Sequence, residues 1–275
     1  MDETSDFLRR IANALDRLAP AAMPAPDWTE APAFVWDGHA ARPIAKIETP
    51  PLALLQGIDK QKQAVSQNVA RLAQGHAAQD MLLWGARGAG KSALVKASVL
   101  AAQDAGGALA LVQLAPDAIT ALPDLFAQLS SAPRNFLVYL DDLGFSGGED
   151  ASARHLRSWL DGGIEARPRN IRIAVTSNRR AILPRDMSEQ DDPINPRDVV
   201  DDKLALSERF GLSLGFHAVT QDDYLAMLRG YAEHYGLDLD EAEALNWSKR
   251  RGARSGRIAW HFITELAGRA GKQLG

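Results

Sequence analysis

The sequence contains no cysteine. Disulfides, thiolate nucleophiles and cysteine-ligated zinc are therefore excluded, and the chain is compatible with a reducing compartment. It also lacks any apolar run approaching the roughly 18 residues that span a bilayer, so no membrane-spanning helix is expected. The first ten residues mix charges, and no short apolar core with a small-residue cleavage site follows them. A secretory leader is not expected, and the expected location is cytoplasmic. A large excess of one charge is missing too. With 31 Lys and Arg against 35 Asp and Glu, the net charge of -4 gives no global attraction to nucleic acid or anionic lipid and leaves room only for a local basic patch. No internal repeat is visible, nor any low-complexity tract beyond an Ala/Pro bias near the start.

What is present is ordinary globular composition, 46% apolar and 24% charged, over 275 residues, enough to bury a full core in a main domain with a smaller companion. Phe7, Leu8, Ile11, Leu15 and Leu18 recur at helical spacing, which predicts an amphipathic helix over 4–19 that stops at Pro20. From there to Pro51 the chain is rich in Pro and Ala with scattered Trp28, Phe34 and Trp36, and reads as an extended arm crossing a surface. Ala64, Val65, Val69 and Leu72 predict a helix over 59–74, with Gly75 as its terminator.

A short, fully apolar run follows at 81–84, with mainly apolar runs at 108–114, 136–140 and 171–175 and a fifth candidate at 212–218. Helical patterns over 91–103, 119–131 and 151–162 separate the first four. Strands buried on both faces and alternating with helices predict an α/β fold with a five-stranded parallel sheet covered by helices on both sides. After Thr220 the strands cease, and 221–235, 239–250 and 257–270 read as helices of a small C-terminal lobe. The expected organisation is thus an arm over 1–50, an α/β core over 51–220 and a helical lid over 221–275. Residues 184–203, with seven acids, three bases and three prolines, read as a long solvated loop.

Directly after the first predicted strand stands Gly85-Ala86-Arg87-Gly88-Ala89-Gly90-Lys91-Ser92, which fits the phosphate-loop pattern GxxxxGKS. The glycines allow the tight turn that points backbone N–H groups at phosphates. The following helix N-terminus adds its positive end, the lysine reaches the β and γ phosphates, and the serine hydroxyl ligates Mg²⁺. The expected ligands are therefore ATP and Mg²⁺. Such a loop needs a carboxylate at the end of a neighbouring buried strand, and the run 136–140 ends in Asp141-Asp142. Asp141 is expected to hold Mg²⁺, and Asp142 to orient or deprotonate the attacking water.

An apolar strand ending in two acids resembles the Walker B pattern of ASCE-type ATPases, and the AAA+ class in particular. Four further segments are similar to parts of that class. Thr176-Ser177-Asn178 resembles sensor 1, which implies that Asn178 positions the lytic water; Glu208-Arg209-Phe210 resembles the segment bearing an arginine finger, which implies that Arg209 acts in a neighbouring subunit's site. Ser255-Gly256-Arg257 resembles sensor 2, and Leu55-Gln56-Gly57-Ile58-Asp59 resembles the segment lining an adenine pocket, with Gly57 and Ile58 as its residues. Longer strings, among them Leu83–Gly88, Leu160–Pro168, Thr176–Arg180 and Leu206–Leu212, resemble the DUF815 family of bacterial predicted AAA+ ATPases over about residues 50–265.

The resemblance implies an ATPase that works as a homo-oligomer to remodel or load a protein or nucleic-acid partner. One departure bears on rate. Most AAA+ proteins have Glu where this chain has Asp142, and a misplacement near 1 Å can cost on the order of a hundredfold. A slow-turnover, nucleotide-gated binding module is therefore the alternative, with Glu149 a nearby acid able to substitute. A P-loop small-molecule kinase is disfavoured, because such enzymes lack the Asn178 strand between the two motifs. Residues 114–118 hold no aromatic to thread a polypeptide, and the cluster Lys249, Arg250, Arg251, Arg254 and Arg257 is a candidate contact for nucleic-acid phosphates or for nucleotide.

Overall fold

The computed structural model of the chain describes residues 26–143, 168–178 and 208–274, with helical positions at 4, 7, 9–11, 156 and 160. The expectations for 144–150 (Glu149 among them), for 184–203, and for most of the helices over 4–19 and 151–162 lie outside the described residues. The described strands are β1 (Ala33–Trp36), β2 (Ala41–Ile44), β3 (Met81–Gly85), β4 (Leu109–Leu114), β5 (Asn135–Leu140), β6 (Ile171–Ser177) and β7 (Leu212–Phe216). Among the described residues, the helices with full bounds are α1 (Asp59–Ala73), α2 (Lys91–Asp104), α3 (Leu122–Ser130), α4 (Gln221–Tyr235), α5 (Glu241–Arg250) and α6 (Gly256–Arg269).

All five expected strands are present, but among the described residues the five-stranded sheet is corrected to one of seven, in the order β2-β1-β4-β5-β6-β3-β7. The two additional strands come from the segment read as an arm. Ala33 to Trp36 pair in parallel with Leu111 to Leu114 of β4, and β2 returns antiparallel on the outside. Each is only four residues long, too short for a period-two signal, and β2 carries Pro43, which a sheet tolerates at its edge. The turn between them is an Asp37-Gly38 turn in which the Asp37 carboxylate accepts from the His39 and Ala40 N–H groups at 2.9 and 2.8 Å.

The sheet separates two apolar layers. Trp28, Phe34 and Trp36 of the early segment pack on one face with Leu122, Phe126 and Phe136. On the other face, Val65, Val69 and Leu72 of α1 and Leu94, Val95 and Val99 of α2 cover Met81, Leu83, Leu137 and Tyr139. Helices α4 to α6 hold a third cluster around Tyr224, Leu228, Phe262 and Ile263, which also takes in Leu54. Strands β3, β5, β6 and β7 all run parallel, so their C-terminal ends, the loop after Gly85, Asp141, Asn178 and Phe216, collect at one edge of the sheet.

Candidate nucleotide site

The loop turns at Gly85, whose φ of 122° lies in the region that favours glycine; a Cβ there would stand 2.1 Å from the Phe216 carbonyl oxygen. That carbonyl accepts from the Ala86 N–H at 2.9 Å, tying the loop to β7. Helix α2 then begins after Gly90 with no side chain capping its first turn, so orphan N–H groups and the positive end of the helix face the cavity there.

Lys91 opens the helix and is buried. Its Nζ donates to the carbonyls of Gly85 and Ala86 at 3.0 and 2.7 Å and to Asn178 Oδ1 at 2.9 Å. Burial lowers its pKa, and the charges of Asp142 and Asp141 pull it partly back. Asn178 in turn donates through Nδ2 to Asp142 Oδ1, so one amide joins the loop lysine to the second acid. Arg87 approaches the same carboxylate at 3.9 Å, but both side chains are largely exposed, and such pairs contribute little.

Asp141 is held differently. Ser92 Oγ, Thr176 Oγ1 and Tyr139 OH all donate to its Oδ1, at 2.8, 2.7 and 2.5 Å. Desolvation raises the Asp141 pKa, but the hydroxyls of Tyr139, Thr176 and Ser92 outweigh it, and the carboxyl stays below its usual value. The same environment raises the Tyr139 phenol, first through burial and then through the Asp141 charge, so it remains a donor. Asp142 is, among the described residues, the non-glycine residue with positive φ, 53°. Aspartate tolerates this left-handed conformation better than most residues.

Lys91, Ser92, Asp141, Asp142, Thr176 and Asn178 line a polar cavity of about 400 Å³ together with Arg87, Gly88 and Arg257. An adjoining, mainly apolar cavity of about 530 Å³ shares Gly90 and Ala93 with it and is walled by Leu55, Ile58, Met227, Tyr231 and Trp260. The two together suit a triphosphate joined to an aromatic base. Ser92 hydroxyl and Asp141 carboxylate, touching each other, are the sparse oxygen donors that suit Mg²⁺, whose shell substrate phosphates and water complete.

Of the expected residues, the cavities bring together Arg87, Gly88, Ala89, Gly90, Lys91, Ser92, Asp141, Asp142, Asn178, Arg257 and Ile58, while Gly85 and Ala86 present carbonyls to Lys91. Gly57 does not line either cavity; it backs onto Asp223 of α4, whose carboxylate a Cβ would meet at 2.8 Å. Arg209 stands apart. It precedes Leu212, which pairs with Met81 at the start of β3, so it lies at the opposite edge of the sheet from the loop. Sequence reasoning missed Tyr139 and the separate part played by Thr176, and it missed the aromatic wall from α4 and α6. The faint signal was spacing: Tyr139 on β5 and Asp141 just past its end, like Thr176 on β6 and Asn178 just past its end, are two apart.

Comparison with solved structures bears on the fold. RuvB of Thermotoga maritima, described as a Holliday junction branch migration motor, matches with a TM-score of 0.50 and 16% identity over 81% of this chain and 66% of its own. Another form of that RuvB gives 0.51 and 17% over 81% and 66%. Orc1 of Aeropyrum pernix, solved in complex with DNA, gives 0.53 and 16% over 80% and 65%. The chain thus spans just under two thirds of each of these proteins. At such identities the likeness shows the fold alone, an α/β architecture with a mostly parallel sheet. No curated protein matches the chain. A family model described as a protein of unknown function, DUF815, matches residues 29–270.

Proposed function

Because this chain belongs to the DUF815 family, a family of unknown function, we propose from its site that it is an AAA+ ATPase that hydrolyses ATP to ADP and phosphate in a homo-oligomer to remodel or load a macromolecular partner. The observation that carries the reading is the convergence of Lys91, Ser92, Asp141, Asp142 and Asn178 on one polar cavity at an uncapped helix N-terminus, beside an apolar cavity sized for a base.

With ATP bound, Lys91 leaves the carbonyls of its own loop and donates to phosphate oxygens, which compensates the desolvation that depresses its pKa. Backbone N–H groups at the start of α2 hold the phosphates in place. Asn178 and Asp142 hold the attacking water in line, and Arg257 adds positive charge from the helical lobe. Mg²⁺, held by Ser92 and Asp141, would neutralise charge on the phosphate oxygens. Arg209, remote from its own loop, is assigned to a neighbouring subunit's site, and such an arginine is worth about 10³ to 10⁵ in rate in other P-loop systems. Helices α4 to α6 act as a lid over the base.

The test is the steady-state rate of ATP hydrolysis across protein concentration, with and without single- and double-stranded DNA, alongside the mass of the particle in ATP. Specific activity should rise with concentration, and Arg209→Ala should bind ATP as the parent does yet lose hydrolysis. A monomer with a concentration-independent rate would sink the oligomeric reading. A second reading, a slow nucleotide-gated switch, is favoured by the short Asp142 side chain and its engagement by Asn178. Tight ATP retention with negligible turnover at every concentration selects it.

A further inference from the structure

Thr176 makes three hydrogen bonds to one tight turn. Its hydroxyl donates to Asp141 Oδ1 at 2.7 Å and accepts from the Asp142 N–H at 2.9 Å, and its carbonyl accepts from the Leu143 N–H at 2.9 Å. The turn it grips is the one in which Asp142 takes a left-handed backbone. Thr176 is buried at 1% exposure on β6, next to β5 in the sheet, so its position is fixed by the ladder and not by the loop. A hydroxyl has one proton to give and lone pairs to accept with, and here both capacities are used, one on each acid. Serine would preserve that exchange; valine, the same shape without the hydroxyl, would abolish it and leave the Asp142 N–H unpaired.

We infer that Thr176 is a positioning residue that couples the two acids: one hydroxyl fixes the rotamer of Asp141 for the metal and the backbone direction of Asp142 for the water. Tyr139, donating to the same Asp141 oxygen from the adjoining strand, restrains Asp141 alone. The two hydroxyls therefore differ in what their removal does. Loss of the tyrosine hydroxyl loosens one acid, and loss of the threonine hydroxyl releases both. This inference rests on the nucleotide-binding reading of the site.

The experiment compares the full chain with Thr176→Val, Thr176→Ala, Thr176→Ser and Tyr139→Phe. The affinity for a non-hydrolysable ATP analogue is measured with and without Mg²⁺, together with kcat and KM. Partners that orient metal ligands typically influence metal affinity or activity by about ten- to a hundredfold. The gain in analogue affinity on adding Mg²⁺ should fall at least about tenfold in Thr176→Val and Thr176→Ala. Their metal-free affinity should stay within about threefold of the parent, and kcat should fall with little change in KM. Thr176→Ser should restore both properties, and Tyr139→Phe should reduce the Mg²⁺ gain with a smaller loss of kcat.

The inference is overturned if Thr176→Val keeps the parent's Mg²⁺ gain and kcat, or if Thr176→Ser is as impaired as Thr176→Val, since the methyl packing would then be the cause. Failure of both Thr176→Val and Thr176→Ala to fold also overturns it, because the residue would then be structural. A parent protein that binds the analogue without turnover leaves the Mg²⁺ measurement to decide. A parent that binds no nucleotide removes the site reading and this inference together.

Discussion

Asp141 gathers three hydroxyl donors on a single oxygen, and that arrangement has a measurable signature in pH. Its carboxyl is held below the ordinary value in the folded chain, so the folded state binds fewer protons than the unfolded one as acid is added. The contribution to stability is complete above about pH 5 and is lost as pH falls through the folded value, below about 4. Thermal unfolding of the parent and of Asp141→Asn should therefore differ by a constant amount near neutrality, and the difference should close on acidification. A difference that widens in acid would contradict the hydrogen-bond assignment. The residues of the proposed phosphate loop and the two acids could be picked out in sequence because the pattern read for phosphate binding has fixed spacing. Thr176 and Tyr139 were not, because a hydroxyl or phenol inside an apolar run is also what any buried strand carries.

At the scale of elements, the sheet owes its width to a hairpin that sequence periodicity does not disclose. Trp36 is 1% exposed at the centre of one apolar layer, within 6.4 Å of the Trp28 ring, and its indole N–H has no partner among the described residues. Trp36→Ala should cost about 3–5 kcal/mol, read as a lower denaturant midpoint. Trp36→Phe should cost much less, since no hydrogen bond is surrendered. If Trp36→Ala left the midpoint unchanged, β1 would not be part of the cooperative core. The lobe helices, by contrast, announce their ends. Thr220 and Asp223 form a capping box at the start of α4, and Ser255 accepts from the Ile258 N–H at the start of α6.

At the scale of the whole molecule, α6 connects the lobe to the loop. The Gly256 N–H donates to the Gly88 carbonyl at 2.8 Å, and a Cβ on Gly88 would stand 2.6 Å from that of Ser255. Arg257 then lines the polar cavity and Trp260 the apolar one, so a single helix faces both halves of the proposed ligand. An ATP analogue at about a hundred times its Kd should stabilise the fold by about 2.7 kcal/mol. Hydrogen exchange should slow in α4 and α6 as well as at the start of α2. Protection confined to the phosphate loop would argue that the apolar cavity takes no base.

By itself the sequence determined the loop at 85–92, the pair Asp141 and Asp142, the alternation of strand and helix, and a closing helical lobe. Each of these rests on local spacing or on burial of a contiguous run, which a linear chain displays directly. Tertiary structure decided the rest: two strands of the hairpin, which exist because β4 offers an edge; the apolar cavity, whose walls come from segments about 200 residues apart; and the clamp of Thr176 on the acids. It also set Arg209 at the far edge of the sheet from its own loop. Hydrogen bonds across strands and walls shared between distant segments depend on register and packing, and neither is written in the spacing of residues along one segment.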